Sequence, residues 1–353
     1  MKTLDNQKKK LLHEGLAIPA HPLALDEYRK LDEFHQRALT RYYLAAGVGG
    51  LAVGVHTTQF AIRDPKVNLY ETVLALAAEE VGKSGKEESV IKVAGVSGPT
   101  DQAVAEAEKA AGLGYDLALV SVNGLGDWTE EALLERAQEI GKVMPLFGFY
   151  LQPAVGGRLL GFDFWKAFAD LPNTFAIKMA PFNRYQTIDV VRAVCHSERN
   201  EEVALYTGND DNIVNDLVTT YKVEVRGVEV SKQIVGGLLG HWAVWTKKAV
   251  ELVEKARKWR NMPDLPASVL TENIAVTDSN AAFFDARNNF QGCIAGLHEV
   301  LVRQGLMKGL WCLDPEEGLS PGQLEEINRV YAEYPELNDD AFVAEHLEEL
   351  MRG

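Results

Sequence analysis

The sequence predicts a (β/α)8 barrel with a C-terminal helical appendage, ahead of a doubly wound sheet. Three observations carry this. Short apolar runs alternate with longer amphipathic ones from about residue 15 to 260. The runs are dominated by Val, Ile, Ala and Gly, as strands covered on both faces require. After about residue 262 the alternation stops and Pro-bearing connectors link helical segments. The expected division is an N-terminal arm (1–14), a barrel (15–261) and a helical region (262–353).

The predicted strands, in order, are GLAIPAH (15–21), GLAVGVHT (50–57), VIKVAGV (90–96), LALVSVN (117–123), MPLFGFYL (144–151), TFAIKMA (174–180), VALYTGN (203–209) and VRGVEVS (225–231). Amphipathic segments lie between them. TDQAVAEAEKAAGLG has Thr100 as an expected N-cap and ends at glycine. TEEALLERAQEIGK starts at Thr129, with Glu130 and Glu131 in the first turn, where the helix dipole favours carboxylates. VGGLLG (235–240) lacks the lysine and hydroxyl residue of a phosphate loop and reads as close packing. HWAVW (241–245) reads as core or subunit-contact aromatics on a helix. Ser320 marks the expected start of a late helix.

Composition narrows the function. The chain has 353 residues, 46% apolar and 25% charged, which fits a globular protein with a large core. No apolar run approaches the roughly 20 residues needed to span a bilayer, and the charged first residues lack the core of a secretory signal. No membrane partner is expected. A formal net charge of −15 argues against nucleic acid as a partner. Cys195, Cys293 and Cys312 lack metal-ligand spacing and cannot all pair, which points to a reducing, cytoplasmic compartment.

One residue breaks the apolar pattern of the sixth strand. Lys178 stands between Phe175-Ala176-Ile177 and Met179-Ala180-Pro181, and buried lysines are rare unless paired or used. In this fold the active site lies at the C-terminal ends of the strands. Late polar residues are His21, His56, Thr57, Thr58, Asn123, Tyr150, Lys178, Asn209, Asp210, Glu229 and Ser231, whereas Lys92 lies early and belongs to the opposite end. Burial lowers a lysine pKa, and a neutral amine can attack a carbonyl to form a Schiff base. The alternatives are a lysine paired with Asp210 or Glu229, or one that snorkels out.

Several motifs add to this. His56-Thr57-Thr58-Gln59-Phe60 follows the second strand, Tyr150-Leu151-Gln152-Pro153 ends the fifth, and Ile177-Lys178-Met179-Ala180 lies in the sixth. TGNDD (207–211) ends the seventh, and LDPEEGLSPGQLEEI leads into a C-terminal helix. In order and spacing they resemble the dihydrodipicolinate synthase / N-acetylneuraminate lyase family of class I aldolases, from about residue 15 to 335. The resemblance implies Lys178 as the Schiff-base lysine for a 2-oxo acid and Tyr150 as the proton shuttle. It implies Thr57 and Thr58 as donors to the substrate carboxylate. His56, Glu229 and Asn209 are further candidate substrate contacts. It implies a lyase without cofactor or metal, acting on pyruvate or a pyruvate-yielding sugar acid, in a homo-oligomer (dimer or tetramer).

The chain also departs from the family pattern. His56, Gln59 and Phe60 replace the loop's glycines and glutamate, Val155 stands where the synthases carry arginine, and Val122-Asn123-Gly124-Leu125 lacks their tyrosines. These losses argue against dihydrodipicolinate synthase itself. Two other readings are a metal-dependent hydrolase, with His21, His56, Asp210 and Glu229 as ligands, and a non-catalytic barrel that binds sugar acids.

Overall fold

A computed structural model describes residues 3–352. Its nine strands are β1 (Ala17–Pro19), β2 (Gly50–Val53), β3 (Ile91–Val96), β4 (Leu117–Val120), β5 (Leu146–Leu151), β6 (Thr174–Ala180), β7 (Ala204–Thr207), β8 (Thr220–Val225) and β9 (Val228–Leu239). All but β8 pair in parallel in the order β1-β9-β7-β6-β5-β4-β3-β2. A parallel bridge between Ala20 and Ala52 closes the ring. The result is an eight-stranded barrel, as the alternating pattern predicted.

The eighth barrel strand differs from expectation. VRGVEVS is the tip of an antiparallel hairpin, with Val225 opposite Val228 and an exposed Glu229 opposite Glu224. The barrel strand itself is the far half of β9, where Ile234 to Leu239 pair with β7 and β1. VGGLLG is therefore strand as far as Leu239. Its glycines reflect crowding: a Cβ on Gly236 would lie 2.5 Å from the Leu16 backbone, and one on Gly237 would lie 2.5 Å from the Trp242 ring.

The outer layer consists of α2 (Glu33–Ala46), α3 (Tyr70–Lys83), α4 (Thr100–Gly112), α5 (Glu130–Val143), α6 (Phe162–Asp170), α7 (Arg184–Cys195), α8 (Ile213–Val218) and α9 (Thr246–Trp259). Thr129 caps α5 as expected, accepting from the Ala132 amide at 3.2 Å. Thr100 is instead the first residue of α4, after Pro99. HWAVW forms a single 3-10 turn (His241–Ala243) and its exit. Beyond the barrel lie α10 (Ser268–Phe283), α11 (Cys293–Arg303), α12 (Gln323–Glu333) and α13 (Asp340–Met351). Helix α12 starts after Gly322, two residues past the expected Ser320.

Strand alternation separates two cores. One, inside the barrel, includes Ile91, Leu117, Phe147, Phe149, Phe175 and Tyr206. The other lies between strands and helices and includes Tyr150, Trp165, Ile177 and Met179. Helix α1 (Asn6–Glu14) plugs the N-terminal end of the barrel through Leu12, whose carbonyl accepts from the Tyr206 hydroxyl at 2.8 Å. Among the described residues no helix is long and apolar enough to cross a membrane.

Candidate active site

At the C-terminal mouth a small cavity of about 50 Å³ opens above the barrel core. Lys178 lies in its wall. Phe149 is its register partner on β5, and the Lys178 Nζ sits 4.3 Å from the centre of that ring. Lys178 is 7% exposed. Its carbon stem fits only because residue 208 is glycine: a Cβ there would lie 2.5 Å from Lys178 Cε. Among the described residues Lys178 makes no ion pair. Burial pushes its pKa below the ordinary lysine value, and the nearby Asp210 opposes that shift.

Asp210 lines the same cavity from the end of β7. One carboxylate oxygen accepts from the His241 amide at 2.9 Å. Burial pushes its pKa above the usual carboxylate range, against the pull of Lys178. The lysine pKa is pushed down and the carboxyl pKa is pushed up, so the two groups approach each other in proton affinity and a proton can pass between them. His56 also lines the cavity, and burial together with Lys178 lowers its pKa to about 4, so it is a neutral imidazole at pH 7. Cys293 reaches the wall from α11, but burial raises its pKa far above the ordinary thiol value, so it stays protonated.

The remaining expected residues divide. Thr57 lines the cavity, and its hydroxyl donates to the His21 carbonyl at 3.2 Å. Thr58 ties the turn together instead: its hydroxyl donates to the His21 carbonyl at 2.7 Å and accepts from the Gly54 and Val55 amides. Asn209 is fully buried behind the wall, where its amide donates to Thr187 and Asp216 and its carbonyl accepts from the Phe182 amide at 3.1 Å. Glu229 lies on the β8–β9 hairpin, exposed and paired with Lys222 at 3.1 Å, outside the mouth.

Tyr150 also falls outside the site. Side chains alternate along β5, so once Phe149 faces inward beside Lys178, Tyr150 must face the helices. Its ring packs at 5.3 Å against Trp165, and its hydroxyl accepts from the Leu160 amide at 3.3 Å. The proton-shuttle role expected of Tyr150 does not fit this geometry. The FGFYL pattern held the missing signal, because Phe147 and Phe149 are the in-phase pair on one face. Phe284 and Phe290, which complete the mouth, come from the C-terminal region and carry no strand-end signal in the sequence.

The proposed metal ligands do not converge. His21 is held by the Pro22 carbonyl at 2.8 Å and the Thr40 hydroxyl at 2.9 Å. Among the described residues no group of three or more His, Cys, Asp or Glu side chains is placed to hold a metal ion.

Comparison with known proteins agrees with this fold. No family model matches the chain. An N-acetylneuraminate lyase of Citrobacter koseri is 27% identical over 206 residues. That match takes in 57% of this chain and 64% of the relative, so the chain spans less than two thirds of the curated relative's length. Among solved structures, a dihydrodipicolinate synthase from Oceanobacillus iheyensis superposes with a TM-score of 0.71 at 16% identity, over 94% of this chain and 100% of that one. An E. coli K12 prophage protein of the dihydrodipicolinic acid synthase family, solved with pyruvate, gives 0.71 at 16% identity, over 91% and 97%. An N-acetylneuraminate lyase from Clostridium difficile, solved with mannosamine, gives 0.70 at 16% identity, over 91% and 99%. The resemblance to the dihydrodipicolinate synthase / N-acetylneuraminate lyase family read from the sequence is borne out in fold and in this sequence match.

Proposed function

We propose that this chain, a divergent relative of the dihydrodipicolinate synthase / N-acetylneuraminate lyase family, is a class I aldolase-type lyase that forms a Schiff base between Lys178 and a 2-oxo acid. The observation that carries this reading is a lysine buried at the barrel mouth, without an ion pair among the described residues, with its pKa pushed down. A structural lysine needs a partner at that depth; a nucleophilic one needs to be neutral.

The neutral amine attacks the ketone carbon and gives a carbinolamine. Asp210, in its protonated form, gives its proton to the departing hydroxyl, and water leaves as the iminium forms. The resulting carboxylate faces the iminium and takes a proton from the adjacent carbon to give an enamine. In cleavage the same carboxylate takes the hydroxyl proton as the carbon–carbon bond breaks. Thr57 receives the substrate carboxylate, and His56, as neutral imidazole, supplies a hydrogen bond without adding charge. Pyruvate is the 2-oxo acid best supported, since the E. coli relative was solved with it. Val155 in the cavity wall offers no cation to a second carboxylate, and Arg158 is turned away to the Gly126 and Trp128 carbonyls. Dihydrodipicolinate synthesis from aspartate semialdehyde is therefore not the activity.

Borohydride reduction in the presence of pyruvate and a panel of other 2-oxo acids tests the assignment. Peptide mapping is expected to find the adduct on Lys178, and Lys178→Ala to abolish it. Absence of any adduct, or an adduct on Lys232 in its place, overturns the reading.

A further inference from the structure

Lys178, Asp210, Thr57 and His56 are committed to the 2-oxo acid. The wall left for the rest of the substrate is formed mainly by Leu151, Val155, Phe182, Phe284 and Phe290, with the Gln152 amide and the Cys293 thiol as its polar members. We infer that the second substrate, the aldehyde released or condensed, is an apolar aliphatic or aromatic aldehyde rather than a polyol or a semialdehyde acid. This rests on the Schiff-base reading above.

Two features of the wall support the inference. A polyol brings several hydroxyls, and each one buried without a partner carries a desolvation penalty. One glutamine amide and one weakly donating thiol cannot satisfy them. The aromatic part of the wall is also held in place. Phe182 and Phe290 meet edge to face at 5.7 Å, and both have positive φ, +50° and +66°. Large side chains adopt that conformation only where surrounding structure enforces it. For Phe182 part of the enforcement is visible: its amide donates to the Asn209 side chain, which is fixed in turn by Thr187 and Asp216. Asn209 thus acts on the aldehyde only through the ring it positions.

The condensation balances without an external oxidant or reductant. The enamine carbon bonds to the aldehyde carbon, the aldehyde oxygen takes the Asp210 proton, and the iminium that results is hydrolysed by water to free Lys178.

The test uses wild-type protein with pyruvate as donor and benzaldehyde, isobutyraldehyde, glyceraldehyde, N-acetylmannosamine and aspartate semialdehyde as acceptors. Carbon–carbon bond formation is read by mass, alongside borohydride trapping of pyruvate alone. The expected result is a kcat/KM for benzaldehyde or isobutyraldehyde at least about 100-fold above that for the hydroxylated and acidic aldehydes, within the range an apolar pocket against unpaired polar groups supports. Phe290→Ala is expected to shrink that ratio about tenfold or more. Pyruvate trapped on Lys178 with apolar aldehydes used no faster than the others, including the case in which none reacts, overturns this inference and leaves the Schiff base standing. Failure to trap pyruvate or any other 2-oxo acid removes the Schiff-base reading first, and this inference with it.

Discussion

Lys8 and Lys178 are buried at opposite ends of the barrel, and the fold treats the two differently. At the N-terminal end Lys8, on the plug helix α1, reaches both oxygens of Asp116 at 2.7 and 2.8 Å. Asp116 also accepts from the Lys92 amide at 2.8 Å, so a single carboxylate ties α1 to β3 and β4. At the C-terminal end Lys178 lies over the Phe149 ring, and Asp210 is close enough to act on its charge but makes no ion pair with it. Burial is similar, 9% and 7% exposed. The position of the carboxylate separates a lysine that ties the fold together from one that can lose its proton and react.

The largest effect should come from removing the carboxyl at the reactive end. Asp210→Asn is expected to slow iminium trapping by about 10²- to 10⁴-fold, the usual worth of a positioned general acid. The pH dependence gives the signature. Trapping requires a neutral amine and a protonated carboxyl at once. The lowered Lys178 pKa and the raised Asp210 pKa bring the two titrations close together, so in wild type this form is most populated between them and declines at both lower and higher pH. Asparagine cannot titrate, so the upper limb should vanish. An unchanged profile would assign proton transfer to another group.

Gly208→Ala probes the seat of the reactive lysine. The added Cβ would lie 2.5 Å from Lys178 Cε and 2.9 Å from Ala180 Cβ, so the amine must move. A displacement of about 1 Å at the reacting atom can cost about 100-fold in trapping rate. Trapping at the wild-type rate would show that the amine position is not set by this contact.

At the structural end the outcome should invert. Asp116→Ala leaves a buried ammonium without its partner and is expected to cost about 3 kcal/mol in denaturant unfolding. Trapping per folded molecule should stay at the wild-type level. A loss of trapping in the folded fraction would mean that the two ends are coupled.

Tyr150→Phe should have the smallest effect. It removes one hydrogen bond to the Leu160 amide, worth about 1 kcal/mol of stability, with turnover unchanged. Slowed turnover at equal stability would return Tyr150 to the mechanism and require a rearranged β5.

Periodicity determined a great deal of this protein from sequence alone. Apolar runs of strand length separated by amphipathic helices define a barrel, because parallel strands need cover on both faces. A lysine inside such a run is conspicuous for the same reason, and its place near the strand's end put it at the active-site mouth. The sequence did not determine which face each side chain took. Alternation on β5 is unambiguous in phase only once one inward residue is known, and the register between Phe149 and Lys178 supplies it. That register moved Tyr150 into the helix layer. Tertiary structure also decided the boundary of the last strand. The run 225–231 is as β-prone as any other but belongs to a hairpin, and the barrel takes the glycine-rich stretch because only small residues fit against Leu16 and Trp242. The aromatic wall could be known only after folding. Phe182 lies just past the reactive strand, and Phe290 more than a hundred residues later on a loop with positive φ. No local pattern joins them; they meet because the C-terminal helices pack across the mouth.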